Sequence, residues 1–263
     1  MRDRALRALD RLPPFSPILN RLVATMARDD ASLIEFAELI EKDAVLAGNL
    51  LRVVNSALYS LQGTVSSVRH AVAVLGLIKL RKLALSISVA RMWTQAQAPA
   101  GEDPARFNAH SVASGVLSDL IAGGGHVDYP EGAFVAGLLH DVGKLLIATA
   151  DPEGYAQVCR EAQQEGRNWV ECESGLLGIT HAELSGAALE RWNLPAPIRE
   201  AVARHHEPDA AGCLSTVVRA ADAAANALGH SIIPRAPEPV AGDVMPLLDH
   251  FELEFGAMRR FFC

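Results

Sequence analysis

The sequence has few aromatic residues, scattered cysteines and no long uninterrupted apolar run. Aromatic side chains make up 5% of the 263 residues, and the four cysteines form no CxxC pair. This cysteine usage excludes a disulfide-stapled miniprotein and favours a reducing, cytoplasmic environment. No apolar run approaches the roughly 18 residues that a membrane helix needs. No apolar segment follows the charged residues between Met1 and Arg4, so we expect neither a membrane span nor a signal peptide.

Charge and composition narrow the class of protein further. The net charge is −7 and half of the residues are apolar, which is typical of a folded globular chain and excludes a disordered one. The acidic balance argues against a dedicated nucleic-acid binder but leaves a local basic patch open. Lys79, Arg81 and Lys82 form such a patch, and we interpret it as a solvated helix face.

Apolar residues recur at helical spacing along nearly the whole chain, and no strand-like alternation is present. The predicted fold class is therefore all-α. One further helix is predicted between Leu80 and Met92. Capping residues predict where the other helices begin: Ser32 to Glu35, Asp43, Ser66 or Ser67 (with Gly76 ending that helix), and Thr180 to Glu183.

Breaks in the apolar pattern divide the chain into three parts. Thr94 to Pro104 has no apolar period and reads as a connector, and the chain becomes Pro-rich after about Gly229. An amphipathic helix is predicted from Phe251 to Phe262. We predict an N-terminal helical subdomain over residues 1–100, a second helical subdomain over 104–228, and a C-terminal Pro-rich segment with a closing helix over 229–263.

Histidines and aspartates fall on the apolar faces of helices in the second part. His110, His140-Asp141 and Asp222 all lie among apolar residues at helical spacing. A buried carboxylate is costly unless a metal, a cation or hydrogen-bond donors compensate it. Imidazole and carboxylate together suit divalent ions such as Mn, Fe, Ni or Zn. A lone histidine on an apolar face is usually a core histidine bonded to a backbone carbonyl, and that interpretation stays open for each of these taken alone. The following histidines are assigned to the surface or to ordinary packing: His70, His126, His230 and His250.

The order His110, His140-Asp141 and Asp222 resembles the H…HD…D pattern of the HD phosphohydrolase superfamily. Several shorter strings resemble its HDOD branch, the HD-related output domain of bacterial signalling proteins: Leu12-Pro13-Pro14, Glu41-Lys42-Asp43, Asn55-Ser56-Ala57, Ala71 to Gly76, Leu138 to Lys144, Glu190 to Pro195 and Ala203 to Pro208. The resemblance covers roughly residues 12–228. It implies an N-terminal helical bundle joined to an HD-like helical domain.

The resemblance also implies a divalent-metal site, with Mn, Fe, Ni, Zn or Mg as the ion. The implied ligands are His110, His140, Asp141, His181, His205, His206 and Asp222. In this reading Asp141 bridges to a second ion held by His181, His205 and His206, and we expect His205 at the edge of the cluster. If the site is catalytic, Asp141 and Lys144 are the catalytic residues, and Lys144 neutralises charge on a phosphoryl group.

Three functions stay open at this point. The resemblance implies first a bacterial cytoplasmic signalling module, whose pocket binds a metal or a small phosphorylated ligand and relays a signal to a regulatory protein partner. The second is a metal-dependent phosphohydrolase acting on a phosphomonoester or phosphodiester. The third is a nucleic-acid-associated regulator that uses the basic patch, with the acidic net charge against it.

Hydrolysis of cyclic di-GMP is not expected. HD relatives that degrade it carry Gly-Tyr-Pro after the double histidine, where this chain reads Glu207-Pro208-Asp209. Arg106 stands where some of those relatives have a Glu one helical turn before the first ligand. We expect Arg106 to repel a metal or to pair with Asp222 or another carboxylate.

Overall fold

The computed structural model describes residues 17–26, 33–56, 63–95, 103–164, 167–208, 210–233 and 239–259, together with Leu6 and Leu9. Within these ranges the regular elements are α-helices and short 3-10 turns, and none is a strand. The predicted all-α class is therefore confirmed.

The N-terminal helices begin where local side chains satisfy the free backbone N–H groups. These helices are α1 (Pro17–Met26), α2 (Leu33–Glu41), α3 (Ala44–Val54), α4 (Val68–Leu75) and α5 (Leu77–Gln95). Asp43 accepts hydrogen bonds from the backbone N–H groups of Val45 and Leu46 at 3.0 and 2.9 Å, so α3 starts as predicted. Ser67 caps α4, which ends at Gly76 with a φ of 79°.

The second half of the fold is arranged around one long central helix. Its helices are α6 (Pro104–Gly123), α7 (Ala133–Leu139), α8 (Val142–Ala150), α9 (Pro152–Ala162), α10 (Trp169–Leu177), α11 (His181–Arg191), α12 (Ala196–Ala203), α13 (Leu214–Ala227) and α14 (Leu248–Arg259). Helix α6 packs against α5, α7, α13 and α14. It therefore joins the N-terminal helices to the rest of the molecule.

Some predicted boundaries differ from the structure. The helix predicted over Leu80–Met92 runs from Leu77 to Gln95, and the closing helix begins at Leu248 instead of Phe251. The Leu12-Pro13-Pro14 string, the Ser32 cap and most of the connector lie outside the described residues. The buried apolar side chains form one cluster that includes residues of both halves, while the three-part division of the chain stays a prediction.

The basic patch on α5 is not the solvated face that we expected. Lys79 is exposed, but Arg81 and Lys82 are buried. The Lys82 ammonium lies 2.6 Å from a carboxylate oxygen of Asp119 on α6 and 3.3 Å from one of Glu254 on α14. The interpretation was wrong because all residues of α5 from 80 to 89 are buried.

One segment, Pro130–Ala150, is long and apolar enough to cross a membrane by length and composition. It is 83% buried inside the protein, as the core of a globular fold is. The segment is also not one continuous helix, because α7 ends at Leu139 and α8 begins at Val142. His140 and Asp141 occupy this break.

Candidate metal centre

Five separate pieces of chain bring the seven predicted ligands to one place, which we call the histidine–aspartate cluster. His110 lies within α6, His140 and Asp141 occupy the break between α7 and α8, His181 begins α11, His205 and His206 form the turn after α12, and Asp222 lies in α13. The Thr180 capping box fixes where α11 begins. It thereby fixes the backbone position of His181.

Four side chains form the first half of the cluster. The Nε2 atom of His110 lies 3.2 Å from Oδ2 of Asp141, 3.2 Å from Oδ1 of Asp222 and 3.3 Å from Nε2 of His140. The His140 Nε2 atom lies 3.4 Å from Asp141 Oδ2 and 3.7 Å from Asp222 Oδ1. Nitrogen and oxygen donors from three different helical elements therefore face one point.

The second half of the cluster contains His181, His205 and His206. The Nε2 atom of His181 lies 3.2 Å from Oδ1 of Asp141 and 2.9 Å from Nε2 of His206. His205 brings a ligand atom within reach of His181 and His206, and also of His140 and Asp141. Asp141 therefore directs one carboxylate oxygen to each half, which is the arrangement that a bridging ligand needs.

Hydrogen bonds fix the rings of the four fully buried histidines. Each directs Nδ1 at an acceptor outside the cluster: His110 at the His230 carbonyl (2.9 Å), His140 at the Gly137 carbonyl (2.8 Å), His205 at the Val202 carbonyl (2.6 Å) and His181 at the Glu173 carboxylate (2.7 Å). A carbonyl oxygen can only accept, so Nδ1 carries the hydrogen. Nε2 is the nitrogen that remains to face the cluster.

The structure reverses the expected places of the two adjacent histidines. We expected His205 at the edge of the cluster, yet its side chain is fully buried and His206 is exposed at the rim. The reason is the hydrogen bond from His205 Nδ1 to the Val202 carbonyl. This bond turns the His205 ring back beneath the end of α12.

Three supporting groups were not found from the sequence. Glu173 is fully buried and accepts from His181. The backbone carbonyl of His230 accepts a hydrogen bond from His110. The His230 ring itself packs on Phe255, with ring centroids 4.4 Å apart, which is the ordinary packing that we expected of this side chain. Asn226 donates to Oδ1 of Asp222 at 2.8 Å. Asn226 lies four residues after Asp222 on α13, and this spacing was the one available indication.

Arg106 does not take the place that we expected near Asp222. The described contacts of the Asp222 carboxylate are with His110, His140 and Asn226. Arg106 is half-buried on α6, and it is absent from the described residues that line the pocket over the cluster. The expected pairing of Arg106 with Asp222 is therefore not seen among the described residues.

The electrostatics of the cluster hold its carboxylates ionised. Burial opposes this for Asp141, but His140 and Lys144 outweigh burial and keep the Asp141 pKa well below its usual value. Hydrogen bonds from His110 and His140 likewise outweigh burial and lower the pKa of Asp222. Burial opposes protonation of His110, yet hydrogen bonds to the two aspartates raise the His110 pKa to about 9.

Two imidazoles in the second half of the cluster, those of His205 and His206, are held neutral. Burial, followed by the neighbouring His206 and His140, lowers the pKa of His205 well below its usual value. His206 is exposed as a residue, but the ring nitrogen that faces His181 is partly buried, and this partial burial together with His181 lowers the pKa of His206 to about 3. Neutral imidazoles and ionised carboxylates are the protonation states that bind metal ions.

A pocket of about 230 Å³ opens over the cluster, with His110, His181, His206 and Asp222 in its wall. Lys144 also lines this pocket, and its ammonium lies 2.7 Å from Oδ2 of Asp141 and 5.0 Å from the centre of the Trp169 ring. Further lining residues are Arg167, Asn168, Val170, Asn226, Ser231, Ile232 and Ile233. The pocket therefore combines positive charge near the cluster with a mostly polar wall that Val170, Ile232 and Ile233 interrupt.

The donors of the cluster fit a divalent ion. Two of its buried polar atoms, Oδ1 of Asp141 and Nε2 of His205, have no hydrogen-bond partner among the residues that the structure describes, although such atoms are costly to leave unpaired. The separations of 3.2 to 3.7 Å in the first half resemble the roughly 3.0–3.4 Å between neighbouring ligands of an ion held at about 2.1 Å. Mn, Fe, Ni and Zn accept such nitrogen and oxygen ligands, whereas Mg prefers oxygen alone.

The fold and the cluster define an all-helical protein built around paired histidine and aspartate ligand groups. The HDOD domain model matches residues 12–208. The chain therefore belongs to the HDOD domain family. Asp222 lies beyond the matched residues, so its position in the cluster is known from the structure and not from the family match.

Solved structures share this fold. An HDOD domain protein with unknown function from Geobacter sulfurreducens is 26% identical, with a TM-score of 0.74 over 98% of this chain and 88% of that one. A proposed phosphohydrolase from Shewanella amazonensis SB2B is 22% identical, with a TM-score of 0.75 over 99% and 98%. A proposed signal transduction protein from Marinobacter aquaeolei VT8 is 22% identical, with a TM-score of 0.77 over 99% and 65%.

A curated relative is longer than this chain. It is an uncharacterized protein from Treponema pallidum, 24% identical over 198 residues, and the match covers 75% of this chain but 38% of that protein.

Proposed function

We propose that this chain is a bacterial cytoplasmic signalling module whose histidine–aspartate cluster holds a divalent ion. The pocket above the cluster takes a small phosphorylated ligand, and the occupied site alters contacts with a regulatory protein partner. One observation carries this proposal: four buried histidines bind an acceptor outside the cluster through Nδ1, and Nε2 of His110, His140 and His181 lies within 3.7 Å of an aspartate oxygen beneath an open pocket. A core histidine that only fills space needs no such convergence.

The residues divide between two groups within the cluster. His110, His140, Asp141 and Asp222 would hold one ion, while His181, His205 and His206 would hold a second, with Asp141 shared. A bound ion of this kind polarises a phosphoryl oxygen and lowers the pKa of bound water. Lys144 faces the same pocket. Its ammonium would attract the negative charge of a phosphorylated ligand.

A metal-dependent phosphohydrolase is the second candidate function. The observation that favours it is the position of Lys144, which is fixed on Asp141 and lies in the pocket wall, where a bound phosphoryl group would meet it. In that case Asp141 and Lys144 are the catalytic residues, and the substrate is a phosphomonoester or phosphodiester. Signalling and hydrolysis share the metal site and differ in turnover.

A nucleic-acid role is the weakest candidate. Two of the three basic residues that favoured it, Arg81 and Lys82, are buried, and Lys82 is engaged by Asp119 and Glu254. One exposed lysine offers a duplex little of the charge neutralisation on which nucleic-acid affinity depends.

Metal titration of the full chain tests the proposal. After treatment with a chelator, isothermal titration with Mn and Zn is expected to show binding to wild type and to Asp249→Asn, an exposed aspartate on α14. Asp141→Asn is expected to lose most of the binding because both halves share Asp141. Absence of binding to folded wild type, or equal binding to the Asp141→Asn variant, would overturn the metal proposal. Turnover of a generic phosphodiester by the loaded protein would put hydrolysis ahead of signalling.

A further inference from the structure

Glu173 is a buried carboxylate outside the proposed ligand set. Its side chain is fully buried within α10. The Trp169 indole N–H donates to Oε1 at 2.7 Å, and the backbone N–H and Nδ1 of His181 contact Oε2 at 2.8 and 2.7 Å. Three contacts therefore converge on this one buried carboxyl group.

His181 differs from the other buried histidines of the cluster in its Nδ1 acceptor. His110, His140 and His205 donate to neutral backbone carbonyls, whereas His181 faces a carboxylate. A hydrogen bond to an ionised acceptor is roughly twice as strong as a neutral one. It also makes the opposite ring nitrogen a stronger donor to a metal.

The backbone of His181 has little freedom of its own. Gly143 packs so closely against the His181 carbonyl that any side chain there would overlap it, and the Thr180 capping box fixes the helix start. Only rotation of the ring and the place of its proton remain adjustable. Both are governed by Glu173, because it holds the backbone N–H and Nδ1 of the same residue.

Glu173 also connects His181 to the pocket. The Trp169 indole donates to Glu173, while the Trp169 ring lines the pocket and lies 5.0 Å from the Lys144 ammonium. Lys144 in turn contacts Asp141 at 2.7 Å. A ligand that displaces Trp169 would therefore disturb both Glu173 and Lys144, on the two sides of the Asp141–His181 contact.

We propose that Glu173 is the positioning residue of His181. It holds the proton on Nδ1, directs Nε2 toward Asp141 and strengthens Nε2 as a metal donor, and Trp169 ties this arrangement to the pocket wall. The strengthening of metal binding rests on the proposed metal site. The placement of the proton does not, because it is a property of the metal-free protein.

Two measurements on the full chain test this role. In metal-free wild type, the ¹⁵N resonances of the His181 ring are expected to show a proton on Nδ1, the nitrogen that faces Glu173. By zinc titration, Glu173→Gln is expected to bind at least about tenfold more weakly than wild type, the range found when partners of metal ligands are changed. Glu171→Gln is the matched control, since Glu171 is exposed on the same helix as Glu173, and its zinc affinity should equal that of wild type.

Failure of the positioning role of Glu173 can be distinguished from failure of the proposed metal site. An unprotonated His181 Nδ1 in wild type would overturn the positioning role, even if Glu173→Gln failed to fold. Unchanged zinc affinity in a folded Glu173→Gln variant would overturn it as well. If wild type binds no zinc, the proposed function fails, and the ring resonances alone still decide the role of Glu173.

Discussion

The Nε2 atoms of His110 and His140 lie 3.3 Å apart. Two unprotonated ring nitrogens at this separation repel each other unless a proton or a cation lies between them. In the metal-free protein Asp141 and Asp222 raise the pKa of His110 to about 9, so at neutral pH the Nε2 atom of His110 carries a proton that faces the two aspartates. Protons and metal ions therefore compete for the same donors.

Metal affinity should rise with pH between about 7 and 9. His110 is protonated below its pKa of about 9, so binding at pH 7 must release that proton, and each pH unit gained should strengthen binding up to tenfold. Titrations in buffers of different ionisation enthalpy would detect the released proton. Affinity that is flat across this range, with no proton released, would contradict this competition.

Gly143→Ala should disturb the geometry of the histidine–aspartate cluster without altering the surface of the protein. The added methyl group would overlap the His181 carbonyl, so His181 must move, and we expect lower stability by about 1–3 kcal/mol together with weaker zinc binding. Gly175→Ala is the control, because that helical glycine has open space around it and alanine there should stabilise by up to about 1 kcal/mol. Equal zinc affinity of the two variants would count against the packing argument.

Lys82→Met should destabilise the protein without changing any affinity for DNA. The variant removes the contacts to Asp119 and Glu254, which join α5 to α6 and α14. Both carboxylates are partly exposed and can be rehydrated, so we expect a loss below the roughly 3–5 kcal/mol of a fully buried broken pair. Urea unfolding measures it, with exposed Lys79→Met expected within about 0.5 kcal/mol of wild type. Salt-dependent DNA binding that Lys79→Met abolishes would revive the nucleic-acid reading.

Asp43 should make the N-terminal helices sensitive to acid. Hydrogen bonds from the backbone of Leu46 and from Arg91 outweigh burial and lower the Asp43 pKa. The stability from the ionised carboxylate is present above the unfolded pKa of about 3.9 and is lost as pH falls through the lower folded value. Asp43→Ala should cost about 1 kcal/mol at pH 7.

The matched comparison for that site is Asp43→Asn, which keeps a capping oxygen but cannot ionise. Its stability should depend less on pH than that of wild type between pH 5 and 3 in urea unfolding. Identical pH dependence of the two proteins would show that Asp43 does not carry this effect.

Cyclic di-GMP should not be hydrolysed at a useful rate even by metal-loaded protein. The chain has Glu207-Pro208 where relatives that cleave it carry Gly-Tyr-Pro. The pocket of about 230 Å³ is also smaller than the roughly 300–1,000 Å³ of common ligand pockets, and this ligand contains two nucleotides. The assay is product release with Mn or Fe supplied anaerobically, with Asp141→Ala as control. Turnover that needs both the metal and Asp141 would prove this prediction wrong.

Local chemistry made the helix starts predictable. Asp43, Ser67 and Thr180 bond to backbone groups two or three residues away, so their effect is visible in the sequence itself. The candidate ligands were predictable for another reason. Histidine and aspartate at apolar helical positions are unusual, and their order matched the pattern of a known superfamily.

Burial that depends on how helices pack was not predictable. Glu173 lies near Glu171 in α10 and looks like part of a polar face until α11 covers it. Arg81 and Lys82 look solvated until the neighbouring helices pack against α5. Which of His205 and His206 turns inward depends on one hydrogen bond at the end of α12, which the sequence does not specify.

The most direct test of the metal centre is an anomalous-scattering map from crystals of the full chain grown with Mn near pH 8. We predict a peak within bonding distance of the Nε2 atoms of His110 and His140 and of the carboxylates of Asp141 and Asp222. The same prediction requires that Asp141→Asn crystals show no peak there. No peak at this cluster in wild type at saturating Mn, or a peak only elsewhere on the protein, would contradict it.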